Sequence, residues 1–223
     1  MKKILLALML LMGVSTCMQA QDSTESEETE EDFYNKGVEV HFKGTRPTIS
    51  DFVSAVFQQE ELGEALGEMK DNWKKHLCGQ VLPKGRSIIV DTRNGYVRYN
   101  AEFVEEEESP RYSHYIEFCY WNYTDGKHKL VAENIVSLCD GKPYAGQYSG
   151  VSFYMYDSET RLMKYAYESE LGIDPDMSMP EDTNLIVHKL PQTGKTIEYA
   201  FFAPSGNKSL RLTWNGSKFV KEK

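Results

Sequence analysis

Residues 112–138 read YSHYIEFCYWNYTDGKHKLVAENIVSL, two runs of Tyr, Ile, Phe, Trp, Val and Leu on either side of Asp125-Gly126. Asp-Gly supplies the positive φ that a tight hairpin turn requires, and the flanking residue types suit a pleated, half-buried surface. The stretch therefore predicts an antiparallel hairpin with Asp125-Gly126 at its tip, placing Cys119 opposite Ala132 and Glu117 opposite Asn134. On that register Tyr115, Cys119 and Trp121 share a face with Leu130, Ala132 and Val136. Glu117 and Asn134 stand in the middle of this face, and buried polar groups need partners. Two readings stay open. Glu117 is a raised-pKa carboxylate lining a pocket, or it is satisfied by an internal hydrogen bond on a covered or half-covered face.

Outward from the hairpin the same grammar repeats. Asn94-Gly95, Asp140-Gly141 and Asn215-Gly216 mark further turns, and residues 157–160 (DSET) a looser one. Alternation is clean in Val97, Tyr99, Ala101 and Phe103 and again in Leu210, Leu212 and Trp214, the signature of half-buried strands. Strands are expected also at 87–92, 151–156, 161–167, 185–190 and 197–202. Before them, Val38, Val40 and Phe42 alternate with polar residues. Thr48 with Asp51 three residues on then opens a helix as a capping box. Ile49, Phe52, Val53 and Val56 lie on one helical face, as do Leu62, Leu66, Met69, Trp73 and Leu77 further along. The fold class is mainly β (α+β): an antiparallel meander forming a sandwich or partly closed barrel, with one or two N-terminal amphipathic helices packed on it. Residues 35–223 are read as a single β-rich domain, with 172–184 as an exposed acidic loop.

The first 34 residues read differently. Lys2 and Lys3 precede an unbroken apolar run over residues 4–12, the order of a secretory signal, and about 20 apolar residues would be needed to span a membrane. Residues 1–20 are accordingly expected to be a signal peptide, with acylation of Cys17 as a second processing route. Residues 21–34 are an acidic leader with too few apolar side chains to fold, expected to be disordered. No basic cluster is suited to phosphate neutralisation, which excludes nucleic-acid binding.

Cys78, Cys119 and Cys139 follow the leader. The hairpin register separates Cys119 from Cys139 by roughly 23 Å, far beyond the reach of a disulfide. The three are expected to be buried thiols acting as small apolar residues, with a bridge from Cys78 to one of the others as the alternative.

Several strings imitate chemistry. Residues 190–194 spell LPQTG, a sorting signal, but the membrane-spanning stretch and basic tail such a signal needs do not follow, and the string is read as a turn. The acids at 174 and 176 alternate as in a calcium loop, yet Met179 and Leu185 stand where an EF-hand needs Gly and Glu. The five histidines show no metal spacing, and there is no P-loop, dinucleotide fingerprint or nucleophile elbow. Nothing calls for a cofactor. Tyrosine stands out, fourteen in all, and aromatic clusters serve sheet packing or ligand stacking. The candidate ligand-binding residues are Glu117, Asn134, Trp121, Tyr120 and Tyr154.

With Cys119-Tyr120-Trp121-Asn122, Phe153-Tyr154-Met155-Tyr156-Asp157 and the closing Leu212 to Phe219 (LTWNGSKF), the chain resembles a set of uncharacterised exported proteins from gut-dwelling Gram-negative bacteria. The resemblance implies an envelope setting and supplies no site residue. The expected function is an exported, non-enzymatic binding or assembly module, periplasmic or on the cell surface. Its partner would be an envelope protein, glycan or small molecule. The alternatives are an envelope hydrolase using carboxylates in a cleft and a carrier of small hydrophobic ligands.

Overall fold

Strands β4 (Tyr112–Asn122) and β5 (His128–Cys139) pair with Glu117 opposite Asn134, Cys119 opposite Ala132 and Tyr112 opposite Cys139, the register expected from Asp125-Gly126. The turn is set by Gly126 at φ +71 and by the Asp125 carboxylate, which accepts the backbone N–H groups of Lys127 and His128. Tyr123 N–H to His128 O, 3.1 Å, closes the ladder. These features come from a computed structural model that describes residues 36–59, 62–103, 110–145, 149–174, 176 and 178–222. The expected signal, the acidic leader and Cys17 lie outside them.

On one side of the hairpin come β3 (Tyr96–Glu102) and β2 (Arg86–Asp91). On the other come β7 (Gly150–Asp157), β8 (Leu162–Tyr165) and β1 (Val38–Glu39). The sheet runs β1-β8-β7-β5-β4-β3-β2, with β6 (Lys142–Pro143) beside β5. A second antiparallel sheet orders β12 (Phe219–Lys221), β11 (Lys208–Trp214), β10 (Thr196–Phe202) and β9 (Leu185–Lys189) as a simple meander. The LPQTG string makes the β9–β10 turn.

Two helices, α1 (Ile49–Val56) and α2 (Glu64–Leu77), fill one side. The capping box forms: Asp51 Oδ2 accepts from both the Thr48 N–H and the Thr48 hydroxyl at 2.7 Å. Trp73 Nε1 donates to Ser54 Oγ at 3.1 Å, tying α2 to α1. The large sheet curls as a half-barrel around α1, which touches β1 at one edge and β3 and β4 towards the other.

Strand alternation separates two cores. Val97, Tyr99, Ile116, Phe118, Val131 and Tyr156 face the helices, packing on Phe52, Val53, Val56 and Met69. Their neighbours Tyr96, Cys119, Trp121, Leu130, Ala132 and Phe153 face the second sheet and meet Ile197, Tyr199, Leu212, Trp214 and Phe219. A side chain buried whole contributes roughly 1.5–3 kcal/mol, so both layers hold substantial apolar burial.

Three expectations need correction. Only Cys119 is a buried thiol; Cys78 is exposed and Cys139 half-buried, and all three are free. Cys78 caps α2 just past its amphipathic stretch, where no sheet covers it. The 172–184 stretch is more than an exposed loop: Ile173 and Pro180 are buried and Met179 packs on the second core, so apolar residues pin it to the sheet. Strand β1 is only two residues long, because the chain leaves the sheet after Val40, whose N–H still donates to Arg161 O.

Candidate ligand-binding site

Glu117 and Asn134 meet between the two sheets, 2% and 0% exposed. Glu117 Oε1 accepts from the Tyr96 hydroxyl at 2.7 Å and from Arg98 at 3.5 Å. Its Oε2 accepts from Asn134 Nδ2 at 3.1 Å and from the Leu190 N–H at 3.2 Å. Asn134 Nδ2 also donates to the His188 carbonyl at 2.9 Å. Glu117 is thereby satisfied on both oxygens, although Asn134 Oδ1 stays buried without a partner among the described residues. The pair is a polar clasp joining the central sheet to the end of β9, with Arg98, itself stacked 4.0 Å from the Tyr115 ring, beside the Glu117 carboxylate. Burial and the Glu117 charge together raise the Tyr96 hydroxyl.

The other sequence-derived candidates do not join it. Trp121 shares the face but is core, 5.2 Å from Phe219 and 6.5 Å from Trp214 between ring centroids. Tyr120 and Tyr154 project to the opposite face, as their places in β4 and β7 require. Tyr154 donates to Glu133 Oε2 at 3.2 Å, a buried carboxylate that sequence reading had passed over. Burial lifts Glu133 to about 7, and the Tyr154 hydrogen bond opposes that rise. Glu117 and Glu133 thus lie on opposite faces of one sheet. They cannot flank a common bond, as the paired carboxylates of a glycosidase do.

A third polar group joins α2 to β3: Glu68 accepts from Arg86 and, at 2.9 Å, from the Tyr99 hydroxyl, which accepts from Asn72 at 2.9 Å. His114 lies beside it, its pKa lowered by burial. Among the described residues no group of three or more His, Cys, Asp or Glu is placed to hold a metal ion.

A wide opening lies elsewhere, at the rim of the half-barrel. A cleft of about 630 Å³ lies between the β1–α1 loop, the β4–β5 turn and the β7–β8 turn. Phe42, Gly44, Arg46 and Pro47 come from the first, Asn122, Lys127, His128 and Lys129 from the second, and Tyr156, Ser158 and Arg161 from the third. In a chain of net charge −9, this lining holds four Lys or Arg and no Asp or Glu. Two of its bases are answered nearby: Lys127 pairs with Glu159, and His128 Nδ1 lies 2.6 Å from Asp125 Oδ2. The His128 hydrogen bond, with the turn's N–H groups, holds Asp125 at about 2.

Arg46, Lys129 and Arg161 have no carboxylate partner among the described residues. Lys129 bonds to Asn122 Oδ1 and lies 4.8 Å from the Tyr120 ring centroid. Its pKa is lowered by burial first and the Arg46 charge second. Arg161 lies 5.1 Å from the Phe42 ring centroid, on a backbone with φ +60 that side-chain-bearing residues seldom adopt. Tyr156 forms part of the wall, 1% exposed, its hydroxyl buried without a hydrogen-bond partner. Sequence reading missed this site because its residues converge from three separate turns. The one hint available was a set of bases gathered in the loops of an acidic chain.

Comparison with family models, with curated proteins and with solved structures returned no match. The fold and site define a class: a mainly-β half-barrel with exposed hydrophobic residues such as Ile89 and Met155 and no recognisable catalytic constellation among the described residues, consistent with a binding module or ligand carrier.

Proposed function

We propose that the protein is a small-ligand carrier of the bacterial envelope, exported by its Lys2-Lys3 and 4–12 apolar segment, that receives its ligand at the half-barrel rim. The observation that carries this reading is the cleft of about 630 Å³, within the volume range typical of small-molecule sites. It is walled by a loop and two turns mounted on rigid strands, the usual arrangement for binding surfaces. The hydrolase reading loses its support because the buried carboxylates sit on opposite faces. A broad assembly surface is the weaker reading, since the aromatic clusters named in the sequence are mostly core.

The test is native mass spectrometry of the protein purified gently from its own envelope, followed by titration of what co-purifies. Amide NMR shifts at Gly44, Gly126 and Ser158 report on the cleft. A bound small molecule shifting those amides supports the carrier. A stable protein partner that leaves them unmoved would sink it.

A further inference from the structure

We infer that the rim cleft binds an anionic amphiphile of small-molecule size, its carboxylate or phosphate group held by Arg46, Lys129 and Arg161 and its apolar part lying against Phe42. The inference rests on the carrier reading and adds the ligand's chemistry to it.

Three observations converge. First, Arg46 from the β1–α1 loop, Lys129 from the start of β5 and Arg161 from the β7–β8 turn line one cleft, and among the described residues no carboxylate answers them. Like charges gathered on one concave wall repel, and a bound anion relieves that repulsion. Burial first, and the Arg46 charge second, lower the Lys129 pKa. Second, the Tyr156 hydroxyl is a buried donor without an acceptor, a group that costs free energy until something accepts its proton. Third, the same wall carries apolar area. Half-buried Phe42 lines the cleft with its base on the helix-side core. A bare inorganic ion would leave this area unused.

The experiment titrates the full exported chain with octanoate, octyl phosphate, octyl glucoside and inorganic phosphate, reading cleft amide shifts and calorimetric affinity. The anionic amphiphiles should bind at least about ten-fold more tightly than octyl glucoside, since hydrogen bonds to an ionised group are roughly twice as strong as neutral ones. Lys129→Gln and Arg46→Gln should each weaken octanoate about five-fold. Lys127→Gln, which removes a base already paired with Glu159, should change it less than about two-fold. Tyr156→Phe should leave thermal stability unchanged or higher, yet weaken octyl phosphate about five-fold. Octyl glucoside binding as tightly as octanoate would overturn the inference while leaving the carrier intact. Inorganic phosphate binding as tightly as octyl phosphate would overturn the apolar half. Co-flotation with phosphatidylglycerol vesicles but no binding of monomeric octanoate would replace the small molecule with a lipid surface and overturn it. Silence of the cleft amides towards all four probes would refute the carrier as well.

Discussion

Replacing Glu133 by Gln should stabilise the protein above neutral pH and leave it unchanged in acid. Burial raises the Glu133 carboxyl from 4.5 to about 7, so the folded state holds its proton more tightly than the unfolded chain. Both states are protonated below pH 4.5. Between there and about 7 only the folded state is, and stability falls as pH rises through that window. At about 1.36 kcal/mol for each pH unit of displacement, the loss reaches about 3 kcal/mol by pH 8. Gln keeps the shape and still accepts from Tyr154, so the variant escapes the loss.

A second group works in the opposite direction. Burial lowers His188 from 6.5 to about 4, so the unfolded chain gains a proton first as pH falls, and stability declines from 6.5 down to about 4. That term also amounts to about 3 kcal/mol. In the wild type the two nearly cancel between pH 4.5 and 6.5. In Glu133→Gln the histidine term stands alone, and the variant should weaken visibly on acidification. Urea denaturation followed by the buried Trp73, Trp121 and Trp214 at pH 4.5, 6 and 8 measures both. A difference between variant and wild type that is the same at pH 4.5 and pH 8 would refute the assignment of Glu133 as a buried neutral acid.

Three further outcomes are expected. Glu117→Ala, which strands Tyr96, Arg98 and the Leu190 N–H, should cost about 3–5 kcal/mol in urea melts, whereas Glu117→Gln should cost less than half of that. Cys78 should react at once with a thiol-directed reagent in the native protein. Cys119, its pKa raised by burial, should react only on unfolding, and a reductant should not move the melting temperature. Gly216→Ala should destabilise by about 1–2 kcal/mol, because Gly216 has φ +104 and an added Cβ would lie 2.4 Å from Thr124 Cγ2. Its carbonyl accepts the Thr124 N–H, so differential scanning fluorimetry reports how firmly that junction holds.

The architecture was legible because its decisive signals are local. Asp125-Gly126 fixes one register, and that register dictates which residues of β4 and β5 share a face. It placed Glu117 against Asn134 and kept Cys119 from Cys139. What it could not supply was the covering of each face. Tyr120 and Trp121 are equally aromatic in the sequence, yet one meets α1's Phe52 and the other the second sheet's Phe219. Glu133 went unnoticed for the same reason: alternation places it beside Phe118, but only the helical layer makes it buried. The cleft was the least legible, because Arg46, Lys129 and Arg161 are distant in sequence and no spacing rule links them.

Most of the large sheet is built from strands adjacent along the chain, so its contacts form over short loops. Strand β1 is the exception, closing from residue 38 across to residue 163 through two ladder pairs, Val38 with Met163 and Glu39 with Leu162. Such a seam, a long closure held by so short a ladder, is expected to be the first pairing of the sheet to part, and the strip that follows it carries Phe42 and Arg46. Amide exchange at Val38 and Val40 faster than at Val131 would mark that seam as the door through which a guest enters and leaves.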